Sequence, residues 1–311
     1  SLMAVYTRLT DKQIGDLLSN YDLDTLHSYR GTEDGIENTT YFLSLGSGQE
    51  LVLTLFEVFG PEQLPFYIEL MVALHESGVP VPCPLKDKNG SAIQMLHDKP
   101  VLLFPFVVGE HPQSPTNEEI RKMARVMAKM HRESLTLSLQ HSLPTDSKGM
   151  EQTWEFVKSS LSDEENQLIE GQLHLREAMQ SLDLPRAIIH GDLFRDNVLF
   201  HKGEVNGIID FYYADMDSLI LDLAIAVNDW CINTEGLVDG EKCHAFLAAY
   251  ESQRPLTPLE QEHWQTALQL AATSFWLSRQ ESLVLAQQGH QQVIKDPLEF
   301  KSLLLQHLGG K

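Results

Sequence analysis

The feature that most constrains the fold is a change of pattern near Gly109. Before it, short runs rich in β-branched and aromatic residues alternate with period two: Leu26–Arg30, Tyr41–Leu45, Leu51–Phe56 and Val101–Val107. Gly46-Ser47-Gly48 joins two of them, and Lys88-Asn89-Gly90 carries a hairpin turn signal. Two helices accompany these strands. Asp11–Leu18 follows the N-cap candidate Thr10, and a second helix from about Phe66 to Ser77 opens after Pro61 and Pro65. After Gly109 the stretch His111–Asn117 reads as a linker, and the period becomes helical at Glu118–His131, Thr153–Leu161, Asp163–Ser181, Leu219–Cys231, Glu241–Ser252, Pro258–Gln288 and Pro297–Leu308. Three brief apolar pieces interrupt the helices: Ala187–His190, Val198–Phe200 and Gly207–Phe211. The expectation is an α+β chain with a small β-rich lobe over 3–105 and a mainly helical lobe over 106–311.

Charge narrows the partners. Lysine and arginine number 23 against 44 aspartates and glutamates, a formal net charge of −21. Such a field repels nucleic acid and anionic lipid, so neither is an expected partner, and an anionic ligand must be held by local devices. Three cysteines without a CxxC pair fit a reducing compartment, and no signal-peptide pattern opens the chain, so the expected location is cytoplasmic.

The chemistry concentrates in His190-Gly191-Asp192-Leu193-Phe194-Arg195-Asp196-Asn197 and in Ile208-Ile209-Asp210-Phe211. Phosphoryl transfer from ATP needs a carboxylate to orient the acceptor hydroxyl and take its proton, and oxygen ligands to hold Mg²⁺. Asp192 and Asn197 stand five residues apart on a loop between two apolar strands. Asp210 ends the next strand, where a hairpin returns it beside Asn197. One base and two metal ligands thus come from a single β-rich element, with His190 bracing the loop. The bland reading, turn-capping Asp and Asn residues, leaves the fixed offsets between apolar strands unexplained.

These residues resemble the catalytic and metal loops of the aminoglycoside phosphotransferase-like kinases, which share the bilobal protein-kinase architecture. Ile208–Ala214, Asp222–Cys231, Tyr250–Leu256, Phe275–Arg279 and Lys295–Glu299 are similar to the homoserine kinase branch of that family, and the likeness covers nearly the whole chain. The resemblance implies ATP and Mg²⁺ as cofactors, Asp192 as base, Asn197 and Asp210 as metal ligands, and Asp222 as a structural brace. It places Gly31, Gly35, Asn38 and Thr39 over the ATP phosphates and Phe104-Pro105-Phe106 at the adenine hinge. The implied acceptor is the small molecule L-homoserine, on a monomer or homodimer. Other hydroxyl acceptors (choline, an aminoglycoside, hydroxylysine) and a non-catalytic nucleotide-binding regulator are the alternatives.

One departure from the kinase pattern stands in the first lobe. Where kinases carry a strand lysine paired to a helix glutamate, this chain has Thr54, and no lysine or arginine lies between Arg30 and Lys86. That leaves Glu69, at the helix-glutamate position, without its usual partner. Arg195 is either a cation near the transferring group or a loop residue paired with Asp196 or Glu204. Arg279, set in an apolar helix, either meets the acceptor's carboxylate or pairs with Asp215 or Asp217. Asp215 and Asp217 follow the metal strand and are candidates to face the acceptor pocket, and Tyr212 is a candidate for its wall or the core. The 13 histidines show no metal-binding spacing, and Met123, Met127 and Met130 form a core stripe.

Overall fold

The computed structural model describes residues 7–32, 37–144, 148–290 and 292–309. A five-stranded antiparallel sheet forms the small lobe, from β1 (Leu26–Gly31), β2 (Asn38–Leu45), β3 (Glu50–Phe56), β4 (Gln94–Leu96) and β5 (Lys99–Pro105), in the order β1-β2-β3-β5-β4. Its period-two pattern sorts side chains between two faces. Tyr41, Leu43, Leu51, Leu53, Val101 and Leu103 bury one face under α1 (Asp11–Leu18), whose Thr10–Gln13 capping box matches the sequence signal. On the other face Phe56, Leu102 and Phe104 join α2 (Leu64–Glu76) in a core that runs on into the helical part.

The helical part contains α3 (Asn117–Thr136), α4 (Met150–Val157), α5 (Asp163–Gln180), α6 (Leu219–Trp230), α7 (Gly240–Gln253), α8 (Pro258–Glu262), α9 (Trp264–Gln287) and α10 (Leu298–His307). Eleven of the twelve residues of α6 are buried, which suits its apolar run around Asp222 and Asn228. Two small antiparallel pairs carry the loops of interest: β6 (Arg186–Ile189) with β9 (Asp215–Ser218), and the hairpin of β7 (Val198–His201) with β8 (Glu204–Ile208). Among the described residues no helix is long and apolar enough to cross a membrane.

Three details differ from the sequence reading. The Lys88-Asn89-Gly90 segment is a turn whose backbone N–H groups at Asn89 and Ser91 donate to the Asp87 carboxylate, and no strands flank it. The hairpin joins β4 to β5 instead, through His97 and Asp98, both at positive φ (51° and 59°). A non-glycine pair in that conformation carries no glycine signal to read. The helix expected over Pro258–Gln288 breaks at His263. Its first turn is pinned by Glu260, which caps through Thr257 and accepts two hydrogen bonds from buried Arg254. The strand expected to reach Phe211 stops at Ile208, so Asp210 lies in the turn beyond it.

Candidate active site

The loop from His190 to Asn197 leaves β6 through Gly191, at φ +84°. A Cβ there would meet the Tyr213 carbonyl oxygen at 2.6 Å, so only glycine lets the loop pack against the 211–213 turn. The His190 ring is buried and bridges two segments: Nε2 donates to the Ile209 carbonyl (2.8 Å) and Nδ1 accepts from the Asp192 N–H (3.1 Å). Those roles require a neutral ring, and burial pushes its pKa down in agreement. Trp230 Nε1 donates to the Leu193 carbonyl (3.0 Å).

Behind the loop lies a buried polar chain. Asp222 accepts from the Gly191 N–H (3.0 Å) and from His131 Nε2 (2.8 Å). His131 Nδ1 meets the Tyr250 hydroxyl (2.6 Å), which accepts from Arg254 (3.0 Å), itself forked onto Glu260. Against the upward push of burial, the hydrogen bonds and charge from His131 hold the Asp222 carboxyl below its ordinary value. His190 and Asp222 thus both hydrogen-bond the backbone of the loop. His131 was missed as a partner; its signal was a polar residue closing the buried stripe Met123, Met127, Met130 of α3.

In front of the loop opens a cleft of about 1070 Å³ between the sheet and the helical part. Asp192, Asn197, Asp210, Tyr212 and Asp215 line it from below, and Asn38, Thr54, Phe104 and Phe106 from above. Asn197 Nδ2 donates to the Asp192 carbonyl (2.7 Å) and carboxylate (3.2 Å), which leaves Oδ1 as its remaining ligand atom. Asp210 adopts φ 64°, ψ 61°, a left-handed conformation uncommon for a non-glycine residue. The Ile209 N–H bond to the Asn197 carbonyl (3.0 Å) keeps the two neighbours. Burial, then the charges of Asp210 and Asp196, push Asp192 up to about 8. Burial, then Glu37 and Asp196, push Asp210 up to about 6. Two desolvated, mutually repelling carboxylates beside an amide oxygen are a donor set that suits a hard divalent cation. Asn197 and Asp210 fit the metal expected of them. No cluster of three or more His, Cys, Asp or Glu side chains able to hold a metal occurs among the described residues. The rest of such an ion's shell would come from phosphate and water, as is usual for Mg²⁺.

Several expected site residues lie elsewhere. Thr39 points to the opposite face of the sheet, where its hydroxyl donates to Glu57 (2.6 Å), itself ion-paired with Lys99. Its even-odd position on β2 made that unavoidable once Asn38 and Thr40 faced the cleft. Gly31 closes β1 without lining the cleft, while its neighbours Arg30 and Thr32 do. Gly35 falls outside the described residues. Glu69 accepts from the backbone of Gln140 and His141, away from the cleft. Arg195 forks onto Asp229 (2.7 Å from its N–H, 3.1 Å from Nε), a loop ion pair with a partner other than Asp196 or Glu204. Arg279 donates to Glu299 and the Asp296 carbonyl (both 2.9 Å) and stacks on Phe300, fastening α9 to α10 instead of facing the cleft or Asp215. Asp217 is instead paired with Arg176 (2.6 Å).

The model of a phosphotransferase enzyme family matches residues 28–256, about three quarters of the chain. The chain belongs to that family. The homoserine kinase of Methylobacillus flagellatus is 37% identical over 309 residues, covering 99% of this chain and 97% of its own. Those of Pseudomonas aeruginosa PAO1 and Neisseria meningitidis are 38% and 37% identical, covering 98% and 97% of this chain and 96% and 99% of theirs. Among solved structures, an amicoumacin kinase superposes with a TM-score of 0.70 at 14% identity, over 94% of this chain and 93% of its own. A microcompartment-associated aminopropanol kinase gives 0.70 at 19%, over 95% and 94%. These two likenesses concern the fold, which is bilobal and protein-kinase-like. This phosphotransferase is an ATP-dependent kinase.

Proposed function

We propose that this phosphotransferase moves the γ-phosphoryl group of ATP to the side-chain hydroxyl of L-homoserine, giving O-phospho-L-homoserine, a step toward threonine in the cytoplasm. The observation that carries the acceptor is the match, over almost the whole of both chains, to homoserine kinases about 37% identical. The geometry supports the chemistry. In this reading Asp192 orients the acceptor hydroxyl and receives its proton. Asn197 holds the Asp192 carboxylate by one hydrogen bond, and His190 fixes the Asp192 backbone by another. Asn197 Oδ1 and Asp210 hold Mg²⁺, which when bound neutralises phosphate charge. Burial, then neighbouring acids, raise both aspartates, and a cation held there would favour their charged forms. Phe104 and Phe106 flank the adenine, Thr54 and Asn38 meet the phosphates, and Tyr212 with Asp215 walls the acceptor end. The lobes divide near residue 105.

A coupled ADP-release assay with MgATP tests this, comparing L-homoserine with choline, L-serine, hydroxylysine and kanamycin. Turnover with homoserine at least a hundredfold above the others is the expected outcome. Equal or greater turnover with another acceptor overturns the substrate. ATP binding without turnover on any acceptor overturns the reaction.

A further inference from the structure

The acceptor proposed above carries a carboxylate into a cleft that is strongly acidic. Asp192, Asp196, Asp210, Asp215 and Glu37 all line it. A carboxylate entering that field needs a cation at its own end of the cleft. Among the described residues lining the cleft there are two full cations, Arg30 and Lys295. Arg30 belongs to β1 and lies over the Phe42 ring, 4.4 Å from its centroid, on the sheet wall with Phe104 and Phe106. Lys295 belongs to the helical side, in the segment between α9 and α10, where Gln292, Val293 and Ser282 of α9 also reach the cleft.

We infer that Lys295 is the specificity residue that receives the acceptor's α-carboxylate, with Asp215 receiving its ammonium; the inference rests on the homoserine reading. Three observations converge on it. Lys295 Nζ stands 3.8 Å from Asp196 Oδ2, one residue before the metal-ligand candidate Asn197. It lines the same cleft as Asp192 and Asp210, so the ammonium is within the space an acceptor would fill. Its one ion pair among the described residues is long and both partners are more than half exposed, so little is lost when the ammonium turns to a carboxylate. Arg279, the arginine that the sequence offered for this task, is already committed to Glu299, the Asp296 carbonyl and Phe300. That pairing gives Arg279 a different part to play. By fastening α9 to α10 across Asp296, it fixes the residue next to Lys295. Asp215 opens β9 opposite Ile189, the residue before His190, which sets its carboxylate beside the catalytic loop.

The test compares two acceptors that differ only in the carboxylate: L-homoserine and 3-aminopropan-1-ol, which keeps the same hydroxyl-to-amine spacing. Lys295→Met should raise the KM for homoserine about ten- to a hundredfold, the loss of a charge-assisted hydrogen bond. The kcat should stay within a few-fold, the KM for ATP should not change, and kcat/KM for 3-aminopropan-1-ol should be unaffected. Lys295→Arg should recover most of the loss. Lys295 is exposed, so the variant folds, and its melting temperature checks this. An unchanged homoserine KM overturns the assignment. An equal loss with both acceptors, or a fall in kcat or ATP affinity, does so too, by moving Lys295 to the phosphoryl group. Wild-type enzyme that ignores homoserine while phosphorylating another acceptor overturns the underlying substrate reading, and is recognised before any variant is made.

Discussion

The two walls of the cleft are built by opposite means. The lower wall is over-determined. Asp192 is held through His190 and Asn197, and behind them Asp222, His131, Tyr250, Arg254 and Glu260 form one buried hydrogen-bonded chain. The upper wall is a sheet face of hydroxyls and rings: Thr40 and Thr54 pair across β2 and β3, and Val52 lies between Phe42 and Phe104 in the neighbouring row. Its ion pair, Glu57 with Lys99, is spent on the far side of the sheet, beside Thr39 and Thr7. On the proposed reading, the contrast follows from what each wall must do. A proton acceptor must hold its angle to within a fraction of an ångström, whereas nucleotide binding sums many weaker contacts.

The sharpest way to break that comparison is at its most constrained point. Asp192→Asn keeps the shape and the Asn197 contact but removes the proposed proton acceptor. A fall in kcat of about 10²- to 10⁴-fold is expected. ATP affinity, read by direct titration, should stay within about threefold, since the upper wall is untouched. Activity above a tenth of wild type would remove Asp192 from the role of base. Next in size is the buried chain. Asp222→Ala leaves His131 and the Gly191 N–H facing an apolar gap, and a loss of roughly 3–5 kcal/mol in denaturant unfolding is expected. Glu260→Ala, at the other end of the chain, strands Arg254 in the core and should cost a similar amount. The two should part company in activity. Below its midpoint Glu260→Ala should retain most of its kcat, because it lies far from the loop, while Asp222→Ala should not. Equal kcat losses would mean that the chain transmits position along its whole length.

The loop of the lower wall was legible in the sequence because its parts are local, whereas the brace behind it through His131 is long-range and was not. Asp192, Asn197 and Asp210 fall within nineteen residues, and their offsets survive any reasonable placement of the strands around them. The upper wall depends on register. Which of Asn38, Thr39 and Thr40 faces the cleft is a parity question, and a one-residue choice sends the side chain through the sheet. Thr39 was lost that way. Long-range partners were harder still. The spacing of residues cannot say that Arg195 would find Asp229, that Arg279 would find Glu299, or that β9 would form at Asp215 to pair with β6. The turn at His97-Asp98 escaped because its backbone conformation, normally marked by glycine or asparagine, is held here by other residues.

The same contrast predicts small effects on the upper wall. Thr54→Val exchanges a hydroxyl for a methyl at nearly constant volume, so the sheet should not change. If the hydroxyl meets a phosphate oxygen, the KM for ATP should rise about three- to tenfold, the worth of one neutral hydrogen bond. Thr54→Lys is the more telling change. It restores the side chain found in other kinases but not its partner, because Glu69 already accepts from Gln140 and His141. ATP affinity should therefore not improve by the tenfold that a full pair would bring; a large gain would show that Glu69 can be recruited.

The smallest expected effect belongs to Arg30. Its guanidinium lies over Phe42, and Phe42 in turn meets Phe106 edge to face, with centroids 5.9 Å apart. A cation so placed both stiffens the ring beside Phe106, the proposed hinge, and brings one positive charge to a cleft otherwise rich in acid. Arg30→Met keeps length and apolar contact but removes the charge. With a cation–π contact at an exposed site worth ~0.5–1 kcal/mol, and the charge itself screened by solvent, the KM for ATP should rise only about two- to fivefold. Salt separates the two contributions. At 0.5 M salt the electrostatic share is largely screened, so the wild type should move toward the variant. A gap that persists undiminished would assign the effect to ring packing, and the upper wall would then bind its nucleotide without any side-chain cation.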